Sequence, residues 1–346
     1  MTTALRDPAL QAHRQAFYDR IDREHLAPLW AVMANLVPAT PTTPCEVAHW
    51  GYAGVREHLL EAGSLITAKE AERRVLVLEN PGLRGASSIT HSLYAGYQLI
   101  LPGEVAPSHR HAATAVRLVV EGEGAYTAVE GERTPMSPGD FIITPSWTFH
   151  DHGNSGDQPV VWLDGLDVPM VQFFDAGFCE RHTRETQPLI RATDDALLRY
   201  GANLLPVDYA ANPHRSPVFR YPYERTRSTL LGLARNGPID ARHGVKLRYS
   251  HPGTGGWPTP TMGAFAQWLP SGFEGAPYRG TDGTVYCVVE GQGSSQVGEH
   301  TVHWQPHDVF VVPSWVSVSH RAESGAVLFS LSDRPAQQAM GFWREA

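Results

Sequence analysis

The chain has 346 residues, 28 Lys and Arg against 36 Asp and Glu for a net charge of −8, 17 histidines and 3 cysteines. That length supports one large domain or two of ordinary size. The scattered basic residues exclude the charged face of a nucleic-acid binder, and no apolar run approaches the roughly 18 residues of a membrane span. Cys45, Cys179 and Cys287 lie far apart without a CxxC pair, so neither a disulfide framework nor a zinc-thiolate site is expected. Met1 to Arg20 carries charges and Gln without the apolar stretch of a signal peptide, which reads as a cytoplasmic protein.

From Asp7 to Leu36 apolar residues recur at three- and four-residue steps, through Leu10, Phe17 and Ile21 to Leu26, Leu29, Trp30 and Met33. Pro28 interrupts the run and predicts two helices or one kinked one. A Pro- and Thr-rich link, Val37 to Pro44, follows. Glu46 to Ala62 is expected to form a further short helix stopped by Gly63. From Arg73 the pattern changes to short apolar runs such as Val75–Leu78, Val116–Val120 and Phe141–Ile143, separated by Gly, Pro and Asp turn signals. Such strands predict an all-β sandwich or barrel of the jelly-roll kind. Residues 168–225 are mixed and Pro-rich and read as a connection with some helix. Strands resume near Val245 and run to Leu331, with a short helix expected over Pro335–Ala346. The expected division is a helical region at 1–72, a first β-domain at 73–167, a linker at 168–225 and a second β-domain at 226–346.

The two β-domains are copies of one another. Ala115–Gly124 (AVRLVVEGEG) resembles Thr284–Gly293 (TVYCVVEGQG), and Pro138–Trp147 (PGDFIITPSW) resembles Pro306–Trp315 (PHDVFVVPSW). The offset is 169 residues for the first block and 168 for the second, so one residue is lost in the intervening hairpin. Two matching blocks in the same order and spacing make an internal repeat.

In the first copy Gly103 is followed by His109-Arg110-His111. Residues two apart on a strand share a face, so both imidazoles reach one metal ion. Further on, Gly139, Pro145, His150 and Asn154 fall at the spacing of a second motif, and together the blocks resemble the paired motifs of cupins. Trp147 stands where that motif has Gly, and Ala115 stands where most cupins carry a Glu ligand. The expected metal site is therefore His109, His111 and His150, three neutral imidazoles without a carboxylate. Imidazole suits Fe(II), Zn, Cu and Ni alike, and three ligands leave positions open for substrate. His152 shares the face of His150 and reads as either a fourth ligand or an acid–base group. In the second copy the counterparts of the three ligands are Tyr278, Gly280 and Val318; only His320, opposite His152, is kept. That copy is expected to be a metal-free structural partner.

Pro102–His111, Val119–Val129, Trp147–Asn154 and Trp162–Asp167 resemble gentisate 1,2-dioxygenases, and the likeness runs over essentially the whole chain. The same group includes salicylate and 1-hydroxy-2-naphthoate dioxygenases. What the resemblance implies is a bicupin with Fe(II) on the three histidines. Such an enzyme cleaves an aromatic hydroxy acid with O2 between its carboxyl- and hydroxyl-bearing carbons. It also implies a homotetramer, and the apolar N-terminal helices fit a subunit interface.

Arg117 lies six residues after His111, so alternation turns it inward, where an arginine needs an anion; the substrate carboxylate and a structural ion pair with Asp164 or a Glu are the two readings. By resemblance Arg73 is a second carboxylate-binding arginine. Tyr94, Gly96 and Gln98 match substrate-contacting positions, and Tyr94 is the more gentisate-like choice there. His152 would meet the substrate hydroxyl and move a proton, with Asp164 orienting it or meeting a ring substituent. Val75 and Trp147 are expected to line the pocket. The competing readings are a Zn or Ni cupin working without O2 and a metal-free binding or storage protein.

Overall fold

The computed structural model describes residues 7–346; Met1–Arg6, the start of the expected helical region, lie outside the described residues. The chain divides into a small unit ending at Thr42 and a large one, Thr43–Ala346. In the small unit α1 (Pro8–Arg23) starts where the Asp7 carboxylate accepts the Ala9 N–H at 2.9 Å, with a proline in its first turn. α1 ends in a turn where His25 takes a left-handed φ of 57°, and Pro28 then sits at the N-cap of α2 (Leu29–Leu36), so two helices form. Trp30 Nε1 donates to Tyr18 OH at 3.2 Å between them.

The large unit opens with β1 (His49–Trp50), α3 (Tyr52–Leu65), α4 (Ala68–Ala71) and β2 (Val75–Val77). The first barrel follows: β3 (Tyr94–Ile100), β4 (Val105–His111), β5 (Ala115–Glu121), β6 (Ala125–Val129), β7 (Glu132–Pro135), β8 (Phe141–Thr144), β9 (His150–Asn154) and β10 (Val160–Leu166). The connection carries α5 (Val168–Phe173), β11 (Cys179–Arg181), α6 (Asp195–Tyr200), β12 (Arg220–Tyr221) and α7 (Tyr223–Asn236). The second barrel is β13 (Val245–Arg248), β14 (Gly263–Leu269), β15 (Phe273–Glu274), β16 (Thr284–Glu290), β17 (Gly293–Val297), β18 (His300–Trp304), β19 (Val309–Val312), β20 (Val318–Ala322) and β21 (Ala326–Ser332), closed by α8 (Arg334–Ala339).

Each barrel is two antiparallel sheets. The first pairs β12-β8-β5-β10-β3-β2 with β11-β4-β9-β6-β7, and the second pairs β1-β19-β16-β21-β14-β13 with β15-β20-β17-β18. The connection is thus partly sheet: β11 extends the edge at β4 and β12 the edge at β8, covering backbone groups that would otherwise stay unpaired. The expected helix over Glu46–Ala62 begins only at Tyr52, because His49 and Trp50 are drawn into a ladder with Phe310 and Val309. Nor does Gly63 stop it. Gly63 lies inside α3 where a Cβ would come within 3.0 Å of Leu99 Cδ2, so the bare backbone allows close packing rather than termination. The C-terminal helix is shorter than expected, ending at Ala339 before Gly341 takes a left-handed φ of 74°.

The two six-stranded sheets pack back to back, and strand alternation divides their residues between two tasks. Val116, Leu118 and Val120 of β5, Val161 and Leu163 of β10, and Ala95, Tyr97 and Leu99 of β3 join one core with Val285, Cys287, Val309, Val327, Phe329 and Leu331 of the second barrel. The intervening residues Val119, Ile142 and Trp162 fill the first barrel's own interior. Both faces are covered, which is why these antiparallel strands read as near-continuous apolar runs. The second barrel's interior holds Tyr278, Tyr286, Trp304, Phe310 and Val318, with Tyr286 and Phe310 stacked at 4.9 Å and 7°.

Candidate metal centre and active site

His109 and His111 come from β4, and His150 from the start of β9, where it lies directly opposite His109 in the ladder. Their ligating nitrogens all fall within 4.8 Å of one another, and His109 Nε2 is 3.1 Å from His150 Nε2. Two ligands about 2.1 Å from a shared ion stand about 3 Å apart when cis, so this spacing suits joint coordination. Two of the rings are held from behind: His111 Nδ1 meets the Ala113 carbonyl at 2.7 Å and His150 Nδ1 meets that of Thr148 at 3.0 Å. A carbonyl can only accept, so both protons sit on Nδ1 and the Nε2 lone pairs face inward. Arg73 Nη2, a donor only, reaches His109 Nε2 at 3.4 Å and fixes a lone pair there as well.

Burial and the neighbouring Arg73 push His109 down to about 3, and burial, chiefly, holds His111 below and His150 well below the usual imidazole range. Three neutral donors are therefore ready for a cation without losing protons.

Around the triad the ladder aligns Gly96 with Asp164 and Asp164 with Arg117 in one row of the facing sheet. Arg117 and Asp164 are both buried, with Nε 3.1 Å from Oδ1, while Arg117 Nη1 donates to Thr144 Oγ1 at 2.7 Å. The ion pair is therefore real. It leaves the carboxylate-binding reading of Arg117 standing, because Nε faces Asp164 as a charge contact without a hydrogen bond and Nη1 is held by Thr144. Burial lifts Asp164 to about 6 despite Arg117, and burial lowers Arg117. Arg73 is half-buried rather than a surface residue: its Nη2 also donates to the Pro107 carbonyl at 2.8 Å, and burial with Arg117 nearby lowers it to about 10. His152 is fully buried, 5.7 Å from the His150 ring and 5.5 Å from Trp162, with Nε2 free of any hydrogen-bond partner.

Tyr94, Gly96 and Gln98 share one face of β3. A Cβ on Gly96 would meet Val75 Cγ1 at 2.6 Å, the Leu76 carbonyl at 2.9 Å and Tyr94 OH at 3.3 Å, so glycine keeps this crowded position open. Trp147 departs from expectation. It sits at a left-handed turn residue, φ 59°, 40% exposed, with its ring 4.5 Å from the Arg110 guanidinium. Arg110 projects from the opposite face of β4 to the two histidines. The second barrel repeats the pair as Arg279 over Trp315, also at a left-handed turn, which makes it part of the fold rather than of the metal pocket.

Sequence reasoning did not pick out the carbonyls of Ala113 and Thr148, Thr144 under Arg117, or Thr127, whose Oγ1 lies 2.9 Å from His152 Nδ1. None has a motif; Thr127 meets His152 only through the β6–β9 register. In the second barrel Tyr278 lies opposite Val318 as His109 lies opposite His150, so ligands are replaced by an apolar and aromatic filling.

Two such barrels back to back, one carrying a buried three-histidine site, define a metal-binding bicupin, and a cupin-domain family model matches residues 96–167. The chain is 52% identical over 339 residues, 98% of both chains, to gentisate 1,2-dioxygenase 1 of Aquipseudomonas alcaligenes. It is 34% identical to 5-aminosalicylate 1,2-dioxygenase of a Comamonas species, over 97% of this chain and 91% of that one. Among solved structures, salicylate 1,2-dioxygenase of Pseudoaminobacter salicylatoxidans with gentisate superposes with a TM-score of 0.91 at 35% identity, covering 99% of this chain and 94% of that one. This chain belongs to the gentisate 1,2-dioxygenase family of ring-cleaving bicupin enzymes. Among the described residues no helix is long and apolar enough to cross a membrane.

Proposed function

We propose that the chain is an Fe(II)-dependent gentisate 1,2-dioxygenase, opening the ring between its carboxyl- and hydroxyl-bearing carbons to give maleylpyruvate. The observation that carries this reading is a triad of neutral imidazoles without a carboxylate ligand, flanked by Arg73 and Arg117, in a chain so closely similar to a gentisate dioxygenase. His109, His111 and His150 would hold the metal through Nε2. When bound, ferrous iron supplies the redox path between an electron-rich ring and O2. Arg73 and Arg117 bring positive charge to the triad and bind the substrate carboxylate, and Asp164 holds Arg117 in place. His152 meets the substrate hydroxyl. Tyr94, Gly96 and Gln98 line the face of the ring, and the buried interior excludes water.

The same reading makes the protein a cytoplasmic homotetramer with a metal-holding domain at 73–167 and a metal-free one at 226–346. The exposed Leu29, Trp30, Met33 and Leu36 of α2 support a subunit interface. The test is anaerobic reconstitution with Fe(II), then oxygen uptake on a panel of gentisate, salicylate, 5-aminosalicylate and 1-hydroxy-2-naphthoate. Fast uptake with gentisate, lost in His111→Ala, supports the assignment. A gentisate rate far below that of another panel member transfers it to that substrate, and turnover without O2 ends the dioxygenase reading.

A further inference from the structure

We infer that Thr127 and Met136 together set the tautomer of His152, so that its Nε2 lone pair, not an N–H, faces the substrate hydroxyl. The inference rests on the proposed role of His152 and extends it to two residues that touch neither metal nor substrate.

The hydrogen bonds decide the tautomer. Thr127 Oγ1 lies 2.9 Å from His152 Nδ1 and 3.4 Å from Met136 Sδ. A thioether only accepts, so the hydroxyl proton can go to sulfur while the oxygen accepts Nδ1–H. That arrangement makes two hydrogen bonds and leaves an acceptor lone pair on Nε2. The alternative, in which the hydroxyl donates to Nδ1, makes one bond and leaves an N–H donor stranded in a fully buried position. An unpaired donor is the costlier defect. Thr127, Met136 and His152 are all at least 98% buried, so water does not compete for these groups.

The second barrel carries the same hydroxyl–imidazole pair without the thioether. Ser295 Oγ lies 2.8 Å from His320 Nδ1, but the residue in the place of Met136 is Trp304, whose Nε1–H donates to Ser295 Oγ at 2.9 Å. An indole only donates, so Ser295 has no thioether acceptor beside it, and either tautomer of His320 makes two hydrogen bonds and leaves one donor without a partner. One exchange, thioether for indole, removes the acceptor that fixes the imidazole. It separates the barrel that keeps its metal ligands from the one that has lost them. A lone pair on His152 Nε2 can take the hydrogen bond of a phenolic hydroxyl as the substrate chelates; an N–H there would oppose it.

The tautomer is read directly in metal-free protein with histidine ring nitrogens labelled with ¹⁵N, by two-bond proton–nitrogen correlation. His152 is assigned from His152→Gln, and Met136→Leu and Thr127→Val are compared with wild type. The expected result is an Nδ1–H imidazole in wild type and an Nε2–H imidazole in Met136→Leu, where Thr127 has lost its acceptor. In iron-loaded enzyme Met136→Leu and Thr127→Val should lower kcat about 10–100-fold at similar KM and iron content, and Thr127→Ser should restore it. An Nε2–H signal in wild type, or an unchanged tautomer in Met136→Leu, overturns the inference whatever the activity. A correct tautomer with unaltered turnover in the variants removes its catalytic consequence and, with it, the proposed role of His152.

Discussion

Arg117 and Asp164 are a buried pair whose removal separates stability from function. Asp164 has its carboxyl raised from an ordinary 3.8 to about 6. At about 1.4 kcal/mol per pH unit, its burial with Arg117 in place costs about 3 kcal/mol at neutral pH. In Arg117→Met the charge that holds Asp164 down is lost, so the carboxyl rises further and the penalty at pH 7 climbs towards its ceiling of about 4 kcal/mol, reached when the acid is fully neutral. Loss of the 2.7 Å bond to Thr144 adds about 1 kcal/mol. The single variant should therefore be less stable than wild type, by up to about 2 kcal/mol from these two losses. Arg117→Met with Asp164→Asn removes the carboxyl penalty, so the double variant should match or exceed wild type, as buried ion pairs replaced together often do.

The pH dependence fixes the sign. Between 3.8 and 6 native Asp164 holds a proton that the unfolded chain has released, so wild-type stability falls as pH rises through that window and this contribution is flat above it. In Arg117→Met the fall extends to higher pH than in wild type, and in the double variant it disappears. Urea unfolding followed by circular dichroism from pH 4 to 8 measures this, alongside oxygen uptake with gentisate. A double variant no more stable than the single one refutes the ion-pair reasoning. A double variant that keeps wild-type KM and kcat refutes Arg117 as the carboxylate clamp.

Glu132 is buried, accepts the Ala196 N–H at 2.9 and 3.0 Å, and is raised to about 7, by burial first and then by Asp195. Its native proton makes stability fall as pH rises from 4.5 to 7, so Glu132→Gln should be more stable than wild type at pH 8, by about 3 kcal/mol at most; equal unfolding midpoints at pH 5 and 8 relative to wild type would remove this explanation. Placing three histidines in the second barrel (Tyr278→His, Gly280→His, Val318→His) should not create a metal site, because Tyr286, Phe310 and Trp304 still occupy its interior; two Fe(II) per chain by metal analysis would contradict that. Gly63→Ala puts a Cβ within 3.0 Å of Leu99 Cδ2 and should destabilise by about 1 kcal/mol despite alanine's better helix propensity, so a raised melting temperature would show that Leu99 yields freely.

Much of this site was legible because it is local. His109-X-His111 on one strand and His150 after a turn motif are short-range patterns, and the ladder brings them together as alternation requires. Arg117 was readable as inward-facing by the same rule. What escaped depends on register between distant strands: Thr127 beside His152, or Thr144 under Arg117. Trp147 misled because a large aromatic within a motif suggests a pocket wall, whereas its left-handed turn places the ring beneath Arg110. The helix boundary at Tyr52 was equally hidden, since a ladder formed with Phe310 competes with local helix formation.

The back-to-back sheets also bear on ancestry. A duplicated domain that has lost its chemistry is ordinarily free to decay or be discarded. Here the copy without the three histidines contributes Val285, Phe329 and Leu331 to the same core that seats the strands carrying Arg117 and Asp164. Selection on the histidine-bearing copy is therefore transmitted to its partner, on one face of its strands. Its opposite face carries Tyr278, Gly280 and Val318 where the first copy has its three histidines. The duplication is locked in by its seam, and a lineage that deleted the second copy would strip the floor from beneath the first.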